Sequence, residues 1–208
     1  MQLQLVSDNI NSYLEATDII DFGDKLSCEI TNLSEKIKTH SIDDIDYIKN
    51  AFEHVRDKIS HSADINGCIV TCKASEVLKA KEGVCYAKAH LLAALLRCNK
   101  IPAGFCYQKL ALNNNPAPHL VLHGLNAVFI EKINRWVRLD ARGNKCGVDA
   151  QFSLEREILA FPIRIEIGEE DIPVIYAAPD KNVIKALTIN KTLEQLLANL
   201  PTELCRTV

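Results

Sequence analysis

The chain has 208 residues, of which 48% are hydrophobic and 25% are charged, and its formal net charge is −3. This composition excludes a disordered chain and predicts a globular protein with a full apolar core. The small negative charge provides no basic surface for nucleic acid or for an anionic membrane, so we expect neither as a partner.

The cysteines and the N-terminal residues bear on the cellular compartment. The chain has eight cysteines, and residues 1–9 contain neither the basic segment nor the apolar run of a signal peptide. Without an export signal, these cysteines indicate reduced thiols, most of which would fill the core. We therefore expect a cytoplasmic protein.

The first half of the chain is predicted to be helical. Apolar residues recur at helical spacing in four segments, which are residues 24–39, 43–59, 74–81 and 84–99. The last of these is the clearest helix, because alanine, leucine and lysine favour the conformation and its apolar residues form one face. Pro102 then prevents the helix from continuing.

The second half of the chain changes to strands. Segments rich in β-branched and aromatic residues predict four strands, over Ala103–Leu112, Leu120–Ile130, Arg135–Leu139 and Phe161–Glu166. Residues 113–118 form a loop between the first two strands, and a final helix runs from Thr192 to Asn199. The expected fold class is α+β, with a central helix packed on an antiparallel sheet. We expect one domain over 1–208, with its core at about 45–145, a helical part at 1–44 and an extension at 146–208.

Cys85 is the first candidate for chemistry, because it begins the predicted helix over 84–99. The free N–H groups and the helix dipole at such a position favour thiolate, which is the nucleophilic form. Gly83 would let the chain turn tightly and let a substrate approach. The alternative is a buried cysteine that only fills space.

His123 and Asp140 could complete the site. If their strands form a hairpin that turns at residues 131–134, the loop has two or four residues. With a two-residue loop at Lys132-Ile133, Asp140 lies opposite Leu125 and His123 is its diagonal neighbour. A slip of one residue would move the two side chains to opposite faces. In this arrangement His123 would act as the base and then the acid, and Asp140 would orient the imidazole.

Each of these two residues also has an ordinary structural interpretation. A strand histidine can simply have satisfied hydrogen bonds, and an aspartate at a strand end can form a turn. His90 and His119 are less favourable candidates for the base, since one lies inside the predicted helix and the other follows Pro118.

These segments resemble the transglutaminase-like superfamily of papain-related thiol enzymes, and in particular its small stand-alone bacterial members. The similarity is carried by residues 83–89, 95–97, 101–103, 123–128 and 136–140. It implies acyl-enzyme chemistry on an amide, with Cys85, His123 and Asp140 as catalytic residues and with no cofactor or metal. Members include cross-linking enzymes, peptidases and amidases. This chain departs from the pattern at Leu125 and Ala127, and in residues 141–144 after the aspartate.

The sequence therefore predicts a thiol-dependent acyl-transfer enzyme acting on a protein or peptide amide. Hydrolysis is favoured over cross-linking, because the small residues Gly124 and Ala127 would give water access to the cleft. The main alternative is a non-catalytic protein- or peptide-binding module on the same fold.

Two further interpretations concern charged and metal-ligating residues. Cys68, Cys72 and His61 could bind zinc, although a structural zinc needs four ligands. Arg142 and Lys145 could attract an acidic substrate, or could be solvated loop charges.

Overall fold

The computed structural model describes residues 2–23, 28–112 and 119–205. The predicted loop at 113–118 and the predicted first turn of helix at 24–27 lie outside these residues. The α-helices in the described part are α1 (Cys28–Thr39), α2 (Asp44–Lys58), α3 (Ala74–Ala80), α4 (Cys85–Cys98), α5 (Lys181–Ile189) and α6 (Leu193–Ala198).

The strands form a five-stranded sheet and a small separate pair. The strands are β1 (Gln4–Leu5), β2 (Ser60–His61), β3 (Glu82–Gly83), β4 (Ala103–Ala111), β5 (Leu120–Ile130), β6 (Arg135–Leu139) and β7 (Glu170–Tyr176). The sheet order is β1-β7-β4-β5-β6, and β2 pairs with β3. In the larger sheet only β1 and β7 run parallel, so the predicted α+β class with a mostly antiparallel sheet is confirmed.

Helix α4 occupies the centre of the core, since nearly all of its side chains are buried. Two polar contacts fix its position. Tyr47 of α2 donates its hydroxyl to the Leu95 carbonyl at 2.7 Å, and the Asn126 amide of β5 donates to the Ala89 carbonyl at 3.0 Å. A buried hydrogen bond from each side therefore holds α4 between the other helices and the sheet.

The hairpin of β5 and β6 has the predicted register. Its ladder runs from Ile130 opposite Arg135 to Asn126 opposite Leu139. The loop has four residues, 131–134, which is the longer of the two predicted lengths, and it is centred on the same point as the two-residue loop, so the pairing is the predicted one. Asn134 closes the loop in the left-handed conformation at φ 46°.

The prediction of a strand over Phe161–Glu166 is wrong. The segment is irregular and ends in a 3-10 turn at Ile165–Ile167, and the strand forms later, as β7. Pro162 cannot donate to a ladder. The Glu169 carboxylate accepts from the Arg164 backbone N–H at 2.8 Å and so stabilises a turn there.

Helix α5 was not predicted, although its signals are present. Asp180 caps it by accepting from the backbone N–H of Asn182 at 2.8 Å, and Val183, Ala186 and Leu187 form a buried face at helical spacing. Among the described residues, no helix is both long and apolar enough to cross a membrane.

Candidate active site

Cys85 is the first residue of α4 and is partly exposed. Val84 caps the helix in an extended conformation without a side-chain hydrogen bond, and the first helical bond runs from the Lys88 N–H to the Val84 carbonyl at 3.0 Å. The N–H groups of the first turn therefore lie outside the helical ladder, next to the sulfur. The partly exposed cysteine thus lies at the positive end of the helix dipole.

Gly83 is required by close packing rather than by an unusual backbone angle. A Cβ at this position would lie 3.1 Å from both the Ala87 Cβ and the Thr71 Oγ1. The glycine thus lets β3 run directly into α4 with its backbone against these two side chains, which sets the position of Cys85.

His123 and Asp140 are brought together by the hairpin register. The imidazole Nε2 lies 2.8 Å from Asp140 Oδ2. His123 belongs to β5 beyond the last residue paired with β6, and Asp140 directly follows β6. Both side chains are buried. The predicted contact between the histidine and the carboxylate is therefore present in the structure.

Asp140 is held by the backbone as well as by the imidazole. Its Oδ2 also accepts from the Ala160 N–H at 3.1 Å, and its Oδ1 accepts from the Arg142 N–H at 3.2 Å. Burial would raise the pKa of this carboxyl, but the charge and hydrogen bond of His123, with the two backbone donors, lower it. Asp140 is consequently a fixed carboxylate.

His123 also lies close enough to Cys85 for the sulfur to affect its pKa. Because Nε2 faces Asp140, Nδ1 is the nitrogen left for the sulfur. Burial would lower the pKa of His123, but the charges of Asp140 and Cys85, and its hydrogen bonds to both, raise the pKa to about 10. The imidazole is thus charged at neutral pH, between the carboxylate of Asp140 and the sulfur of Cys85. The structure brings together all three residues that the sequence singled out.

The segment mispredicted as a strand covers the imidazole. The ring of Phe161 packs edge-on against His123, with centroids 5.2 Å apart. The guanidinium of Arg142 lies over the ring of Phe161, 5.8 Å from its centroid. Phe161 therefore shields the histidine, a contact that the sequence pattern could not reveal because it depends on the long connection after β6.

Arg142 and Lys145 are not free loop charges. Both side chains contact the carboxylate of Asp64. Arg142 donates to both of its oxygens, with Nη2 of Arg142 2.9 Å from Oδ1 of Asp64. The ammonium of Lys145 lies 2.6 Å from the same Oδ1. Arg142 is buried, whereas Lys145 is about half exposed. These pairs tie the loop after Asp140 to the segment before Cys85, so the cleft is braced on both sides.

Lys88 is a buried lysine one turn beyond Cys85. Its ammonium donates to the backbone carbonyls of Arg56, at 3.2 Å, and of Ile59. Burial and the charge of Arg142 lower its pKa to about 7. The residue anchors the end of α2, and with it β2, against the helix that carries Cys85. Sequence patterns missed it because lysine in a helix is usually exposed.

The other two histidines considered from the sequence have different roles. His90 is buried, and its Nδ1 lies 2.7 Å from the Cys72 carbonyl. His119 is exposed at the start of β5. Within the described residues, no group of three or more His, Cys, Asp or Glu side chains could hold a metal ion. Cys68 is exposed and Cys72 is buried, with a pKa that burial raises to about 11.

The chain as a whole was compared with solved structures. A candidate cysteine protease from Cytophaga hutchinsonii matches with a TM-score of 0.51 and 20% identity, over 68% of this chain and 46% of that one. The periplasmic domain of TgpA from Pseudomonas aeruginosa matches with a TM-score of 0.46 and 13% identity, over 65% of this chain and 48% of that one. The chain thus spans less than half of either structure. At these identities the likeness concerns the fold alone.

Comparison at the level of sequence gives the family. No curated protein matches the chain. The model of the transglutaminase-like superfamily matches residues 31–141, which is more than half of the chain and includes α4, β4, β5 and β6. The chain therefore belongs to the transglutaminase-like superfamily.

Proposed function

We propose that the protein is a thiol-dependent acyl-transfer enzyme that acts on an amide of a protein or peptide. Cys85 is the nucleophile, His123 the acid and base, and Asp140 the residue that positions the imidazole. The observation that carries the proposal is the imidazole of His123, which lies 2.8 Å from the buried carboxylate of Asp140 and close to the partly exposed Cys85 at the start of α4.

In the first step the Cys85 thiolate attacks the carbonyl carbon, and the π electrons of the carbonyl move to its oxygen. When the carbonyl re-forms, the amine leaves with the Nδ1 proton of His123, and a thioester remains on Cys85. Acylation removes the thiolate charge, which is one of the contributions that keep the pKa of His123 high. The neutral imidazole can then act as a base toward the acceptor.

We propose water as the acceptor, and thus hydrolysis. The reason given by the sequence does not hold, because Gly124 lies beneath the ring of Tyr86 and Ala127 is fully buried, so neither opens the cleft. The remaining reason is the high concentration of water as the solvent. An amine competes with water for the thioester only where a binding site holds the amine in place.

The direct test uses p-nitrophenyl acetate, whose phenolate release reports acylation. We expect a stoichiometric burst and a mass increase of one acetyl group on Cys85, both absent in Cys85→Ser. Absence of the burst in the wild type would favour the non-catalytic binding module. Incubation with a glutamine-rich protein and a labelled amine tests the acceptor, since stable incorporation of the amine would overturn hydrolysis.

The protein is further proposed to be cytoplasmic, because its eight cysteines are free thiols, as is usual in a reducing compartment. Fractionation of cells that express the tagged protein would test this, and recovery from the periplasm would contradict it.

A further inference from the structure

The connection after β6 passes over the imidazole of His123 in residues 151–161, which we call the lid. Phe161 packs edge-on against the ring, with centroids 5.2 Å apart, and the Ala160 N–H donates to Asp140 Oδ2 at 3.1 Å. Under this cover the side chain of His123 is only 7% exposed, whereas Cys85 is partly exposed. The lid therefore restricts access to the imidazole more than access to the cysteine.

The lid has little buried structure of its own. The structure describes all of its residues, and only Ala160 is buried. Its ends approach each other at one bridge, where the Gln151 N–H lies 2.9 Å from the Ile158 carbonyl. The residue before the lid is anchored separately, because Arg56 donates to the Ala150 carbonyl at 2.9 Å. Segments with few buried contacts open at a low free energy, so the lid can move while the chain before it stays in place.

One ion pair joins the lid to the sheet. Arg138 of β6 is buried and donates to Glu157 of the lid at 2.8 and 2.6 Å. The same guanidinium donates to Asp171 of β7 at 2.6 and 2.8 Å. One carboxylate is enough to balance its charge, and the Glu157 side chain is 42% exposed. Release of Glu157 leaves Arg138 paired with Asp171, so opening of the lid creates no unpaired buried charge, which would be costly.

We propose that the lid closes over His123 through the ion pair of Glu157 with Arg138, and that it opens to admit the water that hydrolyses the acyl-enzyme. This inference rests on the proposed function. In that step the water oxygen bonds to the carbonyl carbon, one water proton passes to the neutral imidazole, and the bond to Sγ breaks to give the free acid and a thiolate. Attack of Cys85 on an activated ester needs no such access, because the phenolate leaves without a proton.

The test uses Glu157→Gln in the full-length protein, with hydrogen exchange of single backbone amides as the first measurement. We expect the Ala160 amide to exchange about 3- to 10-fold faster than in the wild type, as for the loss of one partly exposed charged pair. The Arg142 amide, which donates to the other oxygen of Asp140 from outside the lid, should exchange at the wild-type rate. With p-nitrophenyl acetate, the burst should be unchanged and the steady rate after it should rise by a similar factor.

The control is Glu155→Gln, which makes the same change of charge at an exposed residue of the lid that has no ion pair within the described chain, and which should behave as the wild type does. Equal exchange of the Ala160 amide in both variants would overturn the proposal. Faster exchange without a faster steady rate would also overturn it, because the lid would then not limit hydrolysis. A wild type without a burst would instead refute the proposed function, and the exchange of Ala160 would still show whether Glu157 holds the lid closed.

Discussion

Asp140→Asn tests whether the buried carboxylate makes His123 an acid. The wild-type carboxylate accepts from the His123 Nε2 at 2.8 Å and from the Ala160 N–H at 3.1 Å through Oδ2, and from the Arg142 N–H at 3.2 Å through Oδ1. An asparagine can keep its oxygen toward the first two donors only by turning its NH₂ group toward the N–H of Arg142. The imidazole then keeps its position but loses the neighbouring charge.

Two magnitudes follow from this geometry. One buried backbone N–H loses its acceptor, which costs about 1–3 kcal/mol in the free energy of unfolding. With the Asp140 charge removed, burial lowers the pKa of His123 from about 10, so the imidazolium is no longer the dominant form at pH 7. Acylation of Cys85 should fall about 10²- to 10⁴-fold, the range for a positioned acid–base group.

The assay is the p-nitrophenyl acetate burst at pH 7, with urea unfolding of the same samples. The control is Asp171→Asn, which removes a carboxylate that pairs with Arg138 at 2.6 Å and does not contact His123. A folded Asp140→Asn variant that acylates at the wild-type rate would refute the reasoning, as would an equal loss of acylation in the control.

Two further predictions concern stability. The raised pKa of His123 stabilises the fold fully below pH 6.5 and ceases to do so as pH rises toward about 10. Urea titrations at several pH values give the free energies of unfolding of the wild type and of His123→Gln. The excess stability of the wild type should shrink as pH rises over this range. An excess that grows with pH would contradict the prediction. Gly124→Ala should cost about 1–3 kcal/mol, because the new Cβ would lie 2.7 Å from the buried Tyr86 ring beside Cys85. An unchanged urea midpoint would show that the ring can move away.

Much of the site could be predicted from local patterns. The position of Cys85 follows from a helix signal, and the pairing of His123 with Asp140 follows from strand alternation and an even loop. Both are short-range properties of the chain. The predicted register holds for a loop of either two or four residues, because alternation depends only on the centre and parity of the loop.

The remaining parts of the site depend on contacts between distant segments. Phe161 reaches His123 through an irregular connection, and Asp64 meets Arg142 across 78 positions of sequence. The place of His61 beside Gly83 depends on the pairing of the two very short strands β2 and β3. No periodicity signals a strand of two residues.

The central claim is that Cys85 is the most reactive thiol of the chain and that the imidazolium of His123 beside it makes it so. Competitive alkylation with limiting iodoacetamide at pH 7, followed by peptide mass spectrometry, tests it most directly, because Cys28, Cys68 and Cys146 are more exposed than Cys85. We predict that Cys85 is labelled first and that His123→Ala removes this preference. Labelling of the three exposed cysteines as fast as Cys85, or faster, would contradict the account.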